Sequence, residues 1–530
     1  MVSSNNLGQR LRSPGFTISS FTISSFTLIG LVVLSRHALW RDEVNPWLIA
    51  RDSESWWEFW QNIRYEGHPV LWYLCLSGLN ALTHSLVSMQ IFHLALGVVS
   101  ISLLWRYSPF RTLEKILFTF GYFPFFEYLI ISRNYSFGLL FAFVFCSLFP
   151  RRHHSYIPLA ITLVFMANSH AYALFIALFL TLMLALELLL DRSHRQRYFK
   201  QAGIRDLIVS LLLIAVGYGL AISVISPPSA SSLHGGSSLF LAFDLHRLLW
   251  AIGRLAGSYF MIVPNSDRWL DLIVMDTLAL GLMALVGLRL CKKPWILVFY
   301  GFSTIFIMLL FFYLKQLGGY RHFGSLYIIL ITSLWLAADS PDSTSLGFKL
   351  PFKLPLKPHL MATATGLLKP IFTGLLAIHC AVGVVMVGHD MAVPYSGSRA
   401  TAQYLKQEGL TDELMIASVD STMAPLSGYL NRKFYYPELQ DWGSFTLFRS
   451  GRTETPLPQV LDQAIALLRG EKPTITPARD RALLVLNYEL DPSLASPQVA
   501  ALTITPLQQF RRSYIINEQY YLYWISLRSS

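Results

Sequence analysis

FTISSFTISSFTLIGLVVL (16–34), followed by SRHALWRDE (35–43), decides how the rest of the chain is read. The first stretch carries no charge and is long enough to cross a bilayer as a helix, which takes roughly 20 apolar residues. Arg10 and Arg12 precede it, as they would precede a signal peptide or a first transmembrane helix. No small-residue cleavage site follows, and further apolar runs succeed the charged triplet Arg41-Asp42-Glu43, so the segment reads as a retained helix.

Composition agrees. The 530 residues are 53% hydrophobic and 14% charged, against about 25% charged in a typical soluble chain. With 36 Phe, 25 Tyr and 13 Trp, most side chains must face something other than water. Disorder, collagen and a disulfide scaffold are excluded. Cys75, Cys146, Cys291 and Cys380 lie in apolar runs at irregular spacing and read as packing residues, with no zinc or disulfide pattern. The net charge of +11 then reports on topology and gives no support to nucleic-acid binding.

Further apolar runs lie at 86–105, 115–131, 135–149, 156–168, 171–190, 207–225, 270–290, 295–314, 325–338 and 370–391, which predicts about eleven crossings. With the N-terminus inside, the excess of Lys and Arg (among them Arg106, Arg111, Lys115, Arg151, Arg152, Arg195, Lys200, Lys292, Lys293, Lys349, Lys353 and Lys357) falls in inner loops. An odd count leaves the C-terminus outside. Pro69 to Thr83 is too short to cross and reads as a helix in the outer interface. Phe240 to Ile262 carries Asp244, His246, Arg247 and Arg254, each costing about 2.5 to 3.5 kcal/mol at mid-bilayer, and reads as lying along the membrane surface.

After Met391, Gly, Pro and charge rise, and short apolar runs (Leu414 to Val419, Ala482 to Leu486, Tyr520 to Ile525) alternate with helix-like stretches such as Val460 to Leu468. The expected organisation is a transmembrane domain over 1–391 and an extracytoplasmic soluble α/β domain over 392–530.

The first outer loop gathers Trp40, Trp47, Trp56, Trp57, Trp60 and Trp72, and indole rings favour the headgroup level, so the loop is expected on the outer leaflet. Ser55-Trp56-Trp57-Glu58 fits a capping box for a short amphipathic helix. Asp42 and Glu43 stand where a carboxylate reaches both water and headgroups. Partial desolvation there would raise a carboxyl pKa and make it a stronger base for a hydroxyl nucleophile, although the triplet could also simply end the helix in water. Next come Glu66-Gly67-His68-Pro69-Val70-Leu71-Trp72-Tyr73, a titratable cluster that turns into the interfacial helix. Arg133, Lys315 and Arg321 occupy short outer loops where positive charge is disfavoured. Gly318-Gly319-Tyr320-Arg321-His322-Phe323-Gly324 is the best candidate for an anion, because glycine permits close approach and Arg gives forked hydrogen bonds. Asp276 and His170 lie within or beside spans and carry no assigned role. His153-His154 fits a cytoplasmic flank better than a metal site. The chain has neither a Walker lysine loop nor a dinucleotide fingerprint.

These motifs resemble the polytopic membrane glycosyltransferases of the GT-C class, especially the branch of the protein O-mannosyltransferases and the bacterial lipid A aminoarabinose transferase. In that branch an Asp-Glu pair opens the first outer loop, matched by Asp42-Glu43. A His-Pro-Pro-Leu-Tyr-Tyr-like stretch closes it, matched by His68-Pro69-Val70-Leu71-Trp72-Tyr73 with Val70 for the second Pro. The second loop, Glu-Ala-Arg-x-Tyr-Ala-Leu, corresponds to Ile131-Ser132-Arg133-Asn134-Tyr135-Ser136-Phe137, which keeps Arg and Tyr but lacks the acid. Glu127, one turn earlier, is the available substitute.

The resemblance implies a GT-C-like fold and a polyprenyl-phosphate sugar donor. It further implies a lipid, glycan or protein acceptor, inversion at the anomeric carbon, and residence in a bacterial plasma membrane. It names no certain cofactor and leaves a divalent metal open. On this reading Asp42 takes the proton of the acceptor hydroxyl, and Glu43 positions substrate or shares that role. Arg321, His322 and Arg133 hold the donor phosphate, while Glu66, His68 and Tyr135 position the acceptor or the loop. The rival readings are a transporter or flippase of a lipid-linked sugar, for which no internal repeat is visible, and a surface polysaccharide polymerase or ligase.

Overall fold

The computed structural model of the protein describes residues 14–232, 239–261, 268–315, 318–340, 358–474 and 480–528. In lipid only a helix or a closed barrel satisfies its own backbone, so uncharged runs of this length become helices. Among the described residues eight helices are long and apolar enough to cross a membrane: Thr17–Arg36, Leu86–Tyr107, Ala171–Leu190, Gly203–Ile225, Trp269–Leu290, Pro294–Leu314, Tyr320–Ala338 and Ala362–Ala392. Each coincides with an expected crossing, and the chain is an integral multi-pass membrane protein. Arg10, Arg12, Lys349, Lys353 and Lys357, on which part of the orientation rests, lie outside the described residues, as does Ile262.

The other three expected crossings are shorter helices within the bundle. Run 135–149 is Tyr135–Leu148 and run 156–168 is Ile157–Ala167. Run 115–131 is divided: an α-helix, Thr112–Thr119, stops before Gly121, and a wider π-helix follows over Tyr122–Ile130. Gly383 of the last long helix sits against the break, where a Cβ would lie 2.6 Å from the Phe120 carbonyl oxygen, so the two backbones touch because that residue is glycine. A second π-helix, Met308–Leu314, ends the run that began at Pro294. Single-turn π geometry often marks functional sites, and these two segments precede the loops carrying Arg133 and Arg321.

The interfacial stretch after Pro69 forms the helix Leu71–Leu82, which at 1.5 Å per residue spans about 18 Å and cannot cross a 30 Å core. The charged stretch near 240–262 forms Leu245–Phe260. Asp244 caps it by accepting from the Arg247 amide (2.9 Å), and the helix packs against Trp269–Leu290 and Tyr320–Ala338.

Beyond Ala392 a six-stranded sheet forms in the order β3-β2-β1-β4-β6-β5, with β1 Met415–Ser418, β2 Phe434–Tyr436, β3 Asp441–Gly443, β4 Arg481–Leu486, β5 Leu502–Phe510 and β6 Tyr520–Leu527. β1 is parallel to β2 and β4, and the remaining pairs are antiparallel. Alternation along the strands sends Ile416, Leu484 and Ile525 toward the helix Leu457–Leu468, and Met415, Leu483 and Leu522 toward the helices Ser398–Gln407 and Asp420–Leu430. Helix Asp420–Leu430 in turn packs on helix Arg41–Asp52, with Gly428 against Val44. The segment from Ser444 to Ser450 fastens the sheet region to the membrane part. Ser444 donates to Asp52, Thr446 bonds Asn45, and Arg449 pairs with Ser231 as an isolated bridge.

Candidate active site

Helix Arg41–Asp52 places Asp42 and Glu43 in its first turn, where backbone N–H groups and the helix dipole favour negative charge. The two acids then diverge. Glu43 is completely buried. Its Oε2 accepts from the Trp40 amide (3.2 Å) and faces His37 Nε2 (3.1 Å), and its Oε1 accepts from the Ser132 amide (2.6 Å). His37 Nδ1 lies 3.0 Å from Asp390 at the end of the last long helix. Burial alone would lower the His37 pKa, but Glu43 and Asp390 outweigh it and raise it to about 10. Glu43 therefore ties the first loop, the second loop and the last helix together.

Asp42 points into a different environment. Its Oδ2 accepts from Arg133 Nη1 at 2.5 Å and lies 3.0 Å from Arg321 Nη2, with Arg41 3.9 Å from Oδ1. Burial alone would raise this carboxyl, as the sequence suggests; the guanidinium groups of Arg133, Arg321 and Arg41 reverse the shift and hold it below the usual carboxylate range. Beside these guanidinium groups Asp42 is a weaker base than sequence reasoning expects.

Both arginines are set in place by other groups. His93 Nδ1 and Nε2 each lie 2.9 Å from a carbonyl oxygen, of Leu129 and Arg133 respectively, which fixes the loop after the first π-helix. Arg133 Nη2 is 3.3 Å from His68 Nε2, and its Cζ lies 5.5 Å from the centre of the Tyr135 ring. The Arg321 carbonyl accepts from the Tyr128 hydroxyl (2.9 Å), and its guanidinium lies 5.6 Å from the Trp40 ring centre. Arg321 Nε is buried without a partner among the described residues. His322 uses Nδ1 to accept from the Gly319 amide (3.0 Å) and stacks on Tyr172, which shapes the turn around Arg321.

Glu66 accepts at Oε1 from Asn45 Nδ2 (3.2 Å). Burial, partly offset by Asn45, raises its pKa to about 8. His68 is pulled down to about 3, first by burial and then by Arg133 and Arg321, so it is neutral. The structure thus gathers Asp42, Glu66, His68, Arg133, Tyr135, Arg321 and His322 at one end of the bundle, and it turns Glu43 away into a buried network. Glu127 accepts from the Tyr122 hydroxyl (2.7 Å) within the π-helix. His170 caps its own helix by accepting from the Ala173 amide (3.2 Å). Asp276 is buried in the bundle with neither oxygen partnered among the described residues. Among the described residues, no three His, Cys, Asp or Glu side chains converge as metal ligands.

Sequence reasoning passed over His37, His93, Asn45 and Asp390. Polar residues beside or inside apolar runs are the signal that marks them.

No protein-family profile and no curated protein matches the sequence. The fold, however, matches the structure of ArnT from Cupriavidus metallidurans bound to undecaprenyl phosphate. The TM-score is 0.50 at 12% identity, over 95% of this chain and 97% of that one. The chain therefore has the fold of that structure along nearly its whole length. AftD, an arabinofuranosyltransferase from Mycobacteria, aligns with 97% of this chain and 40% of its own at a TM-score of 0.41 and 13% identity. In this fold the first loop, the second loop and the turn before Tyr320–Ala338 meet around Asp42 at the end of the bundle that carries the sheet.

Proposed function

We propose that the protein is a glycosyltransferase that takes a sugar from a polyprenyl-phosphate carrier and transfers it to an acceptor hydroxyl at the outer face of the membrane. The observation that carries this reading is the cluster at Asp42: one carboxylate against two guanidiniums, with donor capacity left over on Arg321. A surplus of positive charge at the membrane–water boundary suits a phosphate whose lipid tail remains in the bilayer. We place the bacterial plasma membrane as its location, with the N-terminus cytoplasmic and residues 392–530 as the extracytoplasmic domain.

The chemistry follows from the geometry. Arg133 and Arg321 bind the donor phosphate, which relieves Asp42 of part of their charge and makes it a better base. The acceptor hydroxyl attacks the anomeric carbon as Asp42 takes its proton. The bond from that carbon to the phosphate oxygen breaks, and its electron pair stays on the lipid phosphate under the two guanidiniums. Direct displacement inverts the anomeric centre. Glu43 holds the loop that presents Asp42, and His68, Tyr135 and His322 hold the arginines and their turn.

Purified protein in vesicles, given a radiolabelled polyprenyl-phosphate sugar, tests the reading. Release of lipid phosphate with a glycosylated product supports transfer. Movement of intact donor between leaflets without cleavage identifies a flippase and overturns it.

A further inference from the structure

Three helices leave a gap at the end of the bundle away from the sheet. Ile157–Ala167 packs against both Ala171–Leu190 and Gly203–Ile225, which scarcely meet each other. These two are tied where Thr181 Oγ1 meets the Tyr218 hydroxyl (2.7 Å), and the helix Arg192–Gln201 joins their ends. Between the two ties lies a groove of about 240 Å³, floored by Ala160 and Leu163 and walled by Leu184, Ala185, Leu211 and Ile214. Thr181 and Ser210 also line it, but their hydroxyls donate to the Ala177 carbonyl (2.9 Å) and the Asp206 carbonyl (2.7 Å), so the surface offered is apolar. Leu189 and Leu211, 64% and 54% exposed, form its rim, so the groove opens sideways toward lipid. From Thr181 to Leu189 it runs about 12 Å along the helix, close to the roughly 15 Å that one leaflet contributes to the hydrocarbon core.

Inside a bilayer an apolar groove attracts a lipid chain no more strongly than neighbouring lipid does, so a particular lipid is held here only through its headgroup. The charge beside the groove has one sign. The helix Arg192–Gln201 carries Arg192, Arg195, Arg197 and Lys200 and no acid. The nearby acids are already used: Asp191 accepts from the Ser193 and His194 amides (2.9 and 3.0 Å), Asp206 accepts from the Tyr156 amide (2.8 Å) and the Tyr198 hydroxyl (2.6 Å), and Glu187 is paired with Arg152. Arg195 Nη1 donates to the carbonyl of Leu189 (2.5 Å), which fixes a guanidinium at the rim itself. Arg192 is exposed three residues beyond Leu189, and neither arginine meets a carboxylate among the described residues.

We propose that this groove is a binding site for an anionic membrane phospholipid, with one acyl chain between Ala171–Leu190 and Gly203–Ile225 and the phosphate held by Arg192 and Arg195. The inference rests on the membrane fold and is independent of the transfer reaction. Basic residues alone would gather a diffuse layer of anionic lipid. The groove gives one such lipid a fixed place, where its chain fills the space that the two helices leave between them.

Native mass spectrometry of the full-length protein tests this, with release from micelles that hold equal amounts of phosphatidylglycerol and phosphatidylcholine of identical chains. Wild type should retain phosphatidylglycerol about 10-fold over phosphatidylcholine, and Arg192→Gln/Arg195→Gln should lose that preference. Ala185→Phe fills the groove and leaves the charge intact, and it should lower phosphatidylglycerol retention by a similar factor. Equal retention of the two lipids by wild type, or unchanged retention in either variant, overturns the proposal. A second measurement needs no variant, and so stands even where a substitution impairs folding. Phosphatidylglycerol with a photoreactive group on its chain should label groove residues of the three helices in wild type. Labelling spread evenly over the lipid-facing helices overturns the site, and labelling abolished by equimolar undecaprenyl phosphate overturns the assignment to a phospholipid.

Discussion

Two arginine–carboxylate groups at opposite ends of the bundle are built on different accounts of charge. At one end Arg152 gives Nε and Nη2 to the two oxygens of Glu187 (2.7 and 2.8 Å) and Nη1 to the Phe149 carbonyl (3.2 Å), with its Cζ 3.9 Å from the centre of the Phe149 ring. One cation meets one anion, and each carboxylate oxygen is bonded. At the other end a single oxygen of Asp42 faces both Arg133 and Arg321, and Arg321 Nε has no partner among the described residues. A pair that closes on itself holds helices together. A cluster left with net positive charge and unused donors is arranged for an anion that arrives from outside.

Substitutions at the two groups should therefore fail in different ways. The largest effect is expected for Asp42→Asn, which removes proton-accepting capacity at nearly constant shape. Turnover should drop by about 100-fold to 10,000-fold at unchanged protein level. Near-normal turnover of this variant would make the Asp42 cluster as structural as the Arg152 pair and erase the contrast. Arg321→Ala should lower donor cleavage by about 100-fold, as for loss of one charge-stabilising donor. Arg321→Lys keeps the charge but not the planar fork, so it should lie closer to Ala than to wild type. Full activity in the Lys variant would reduce the site to a headgroup anchor.

Glu187→Gln should do the reverse. Breaking a buried pair leaves Arg152 uncompensated and should destabilise the protein by about 3 kcal/mol, read as a lower melting temperature in detergent, while turnover per folded molecule stays at the wild-type level. A loss of specific activity without a loss of stability would show that the closed pair also serves the reaction.

A further effect on stability concerns the network behind Asp42. His37 is raised from 6.5 to about 10, so the folded state binds its proton more tightly than the unfolded chain does. Its contribution is complete below the unfolded pKa and is lost as pH rises through the folded one. The melting temperature of wild type should fall between neutral pH and about 10, and that of His37→Gln should be lower at neutral pH and change less. Equal slopes in the two proteins would take His37 out of the stability account.

The difference between Asp42 and Glu43 marks the limit of what sequence conveys. Side by side they are equivalent acids after an apolar run, and a GT-C resemblance singles out the pair. Their separation by role arises from a helical turn that sends one toward Arg133 and Arg321 and the other toward His37, Ser132 and Trp40. The same holds for Glu66. Its carboxyl is held by Asn45, which is held by Thr446, and no spacing in the chain relates residues 45 and 446.

Hydropathy alone determined the multi-pass class, the placing of the long helices and the change of character after Met391, because the cost of exposing charge or bare backbone to lipid is large and local to each segment. The motif residues of the first two loops and the Arg321 turn were likewise readable, as charge and glycine stand out against apolar runs. Tertiary structure alone decided the division of the 115–131 run into an α-helix and a π-helix, the burial of Glu43, the depressed pKa of Asp42 and the hold of the sheet region on Glu66. Those properties depend on pairwise distances between residues far apart in sequence. Electrostatic energy varies with such distances and with local burial, and neither exists until the chain has packed.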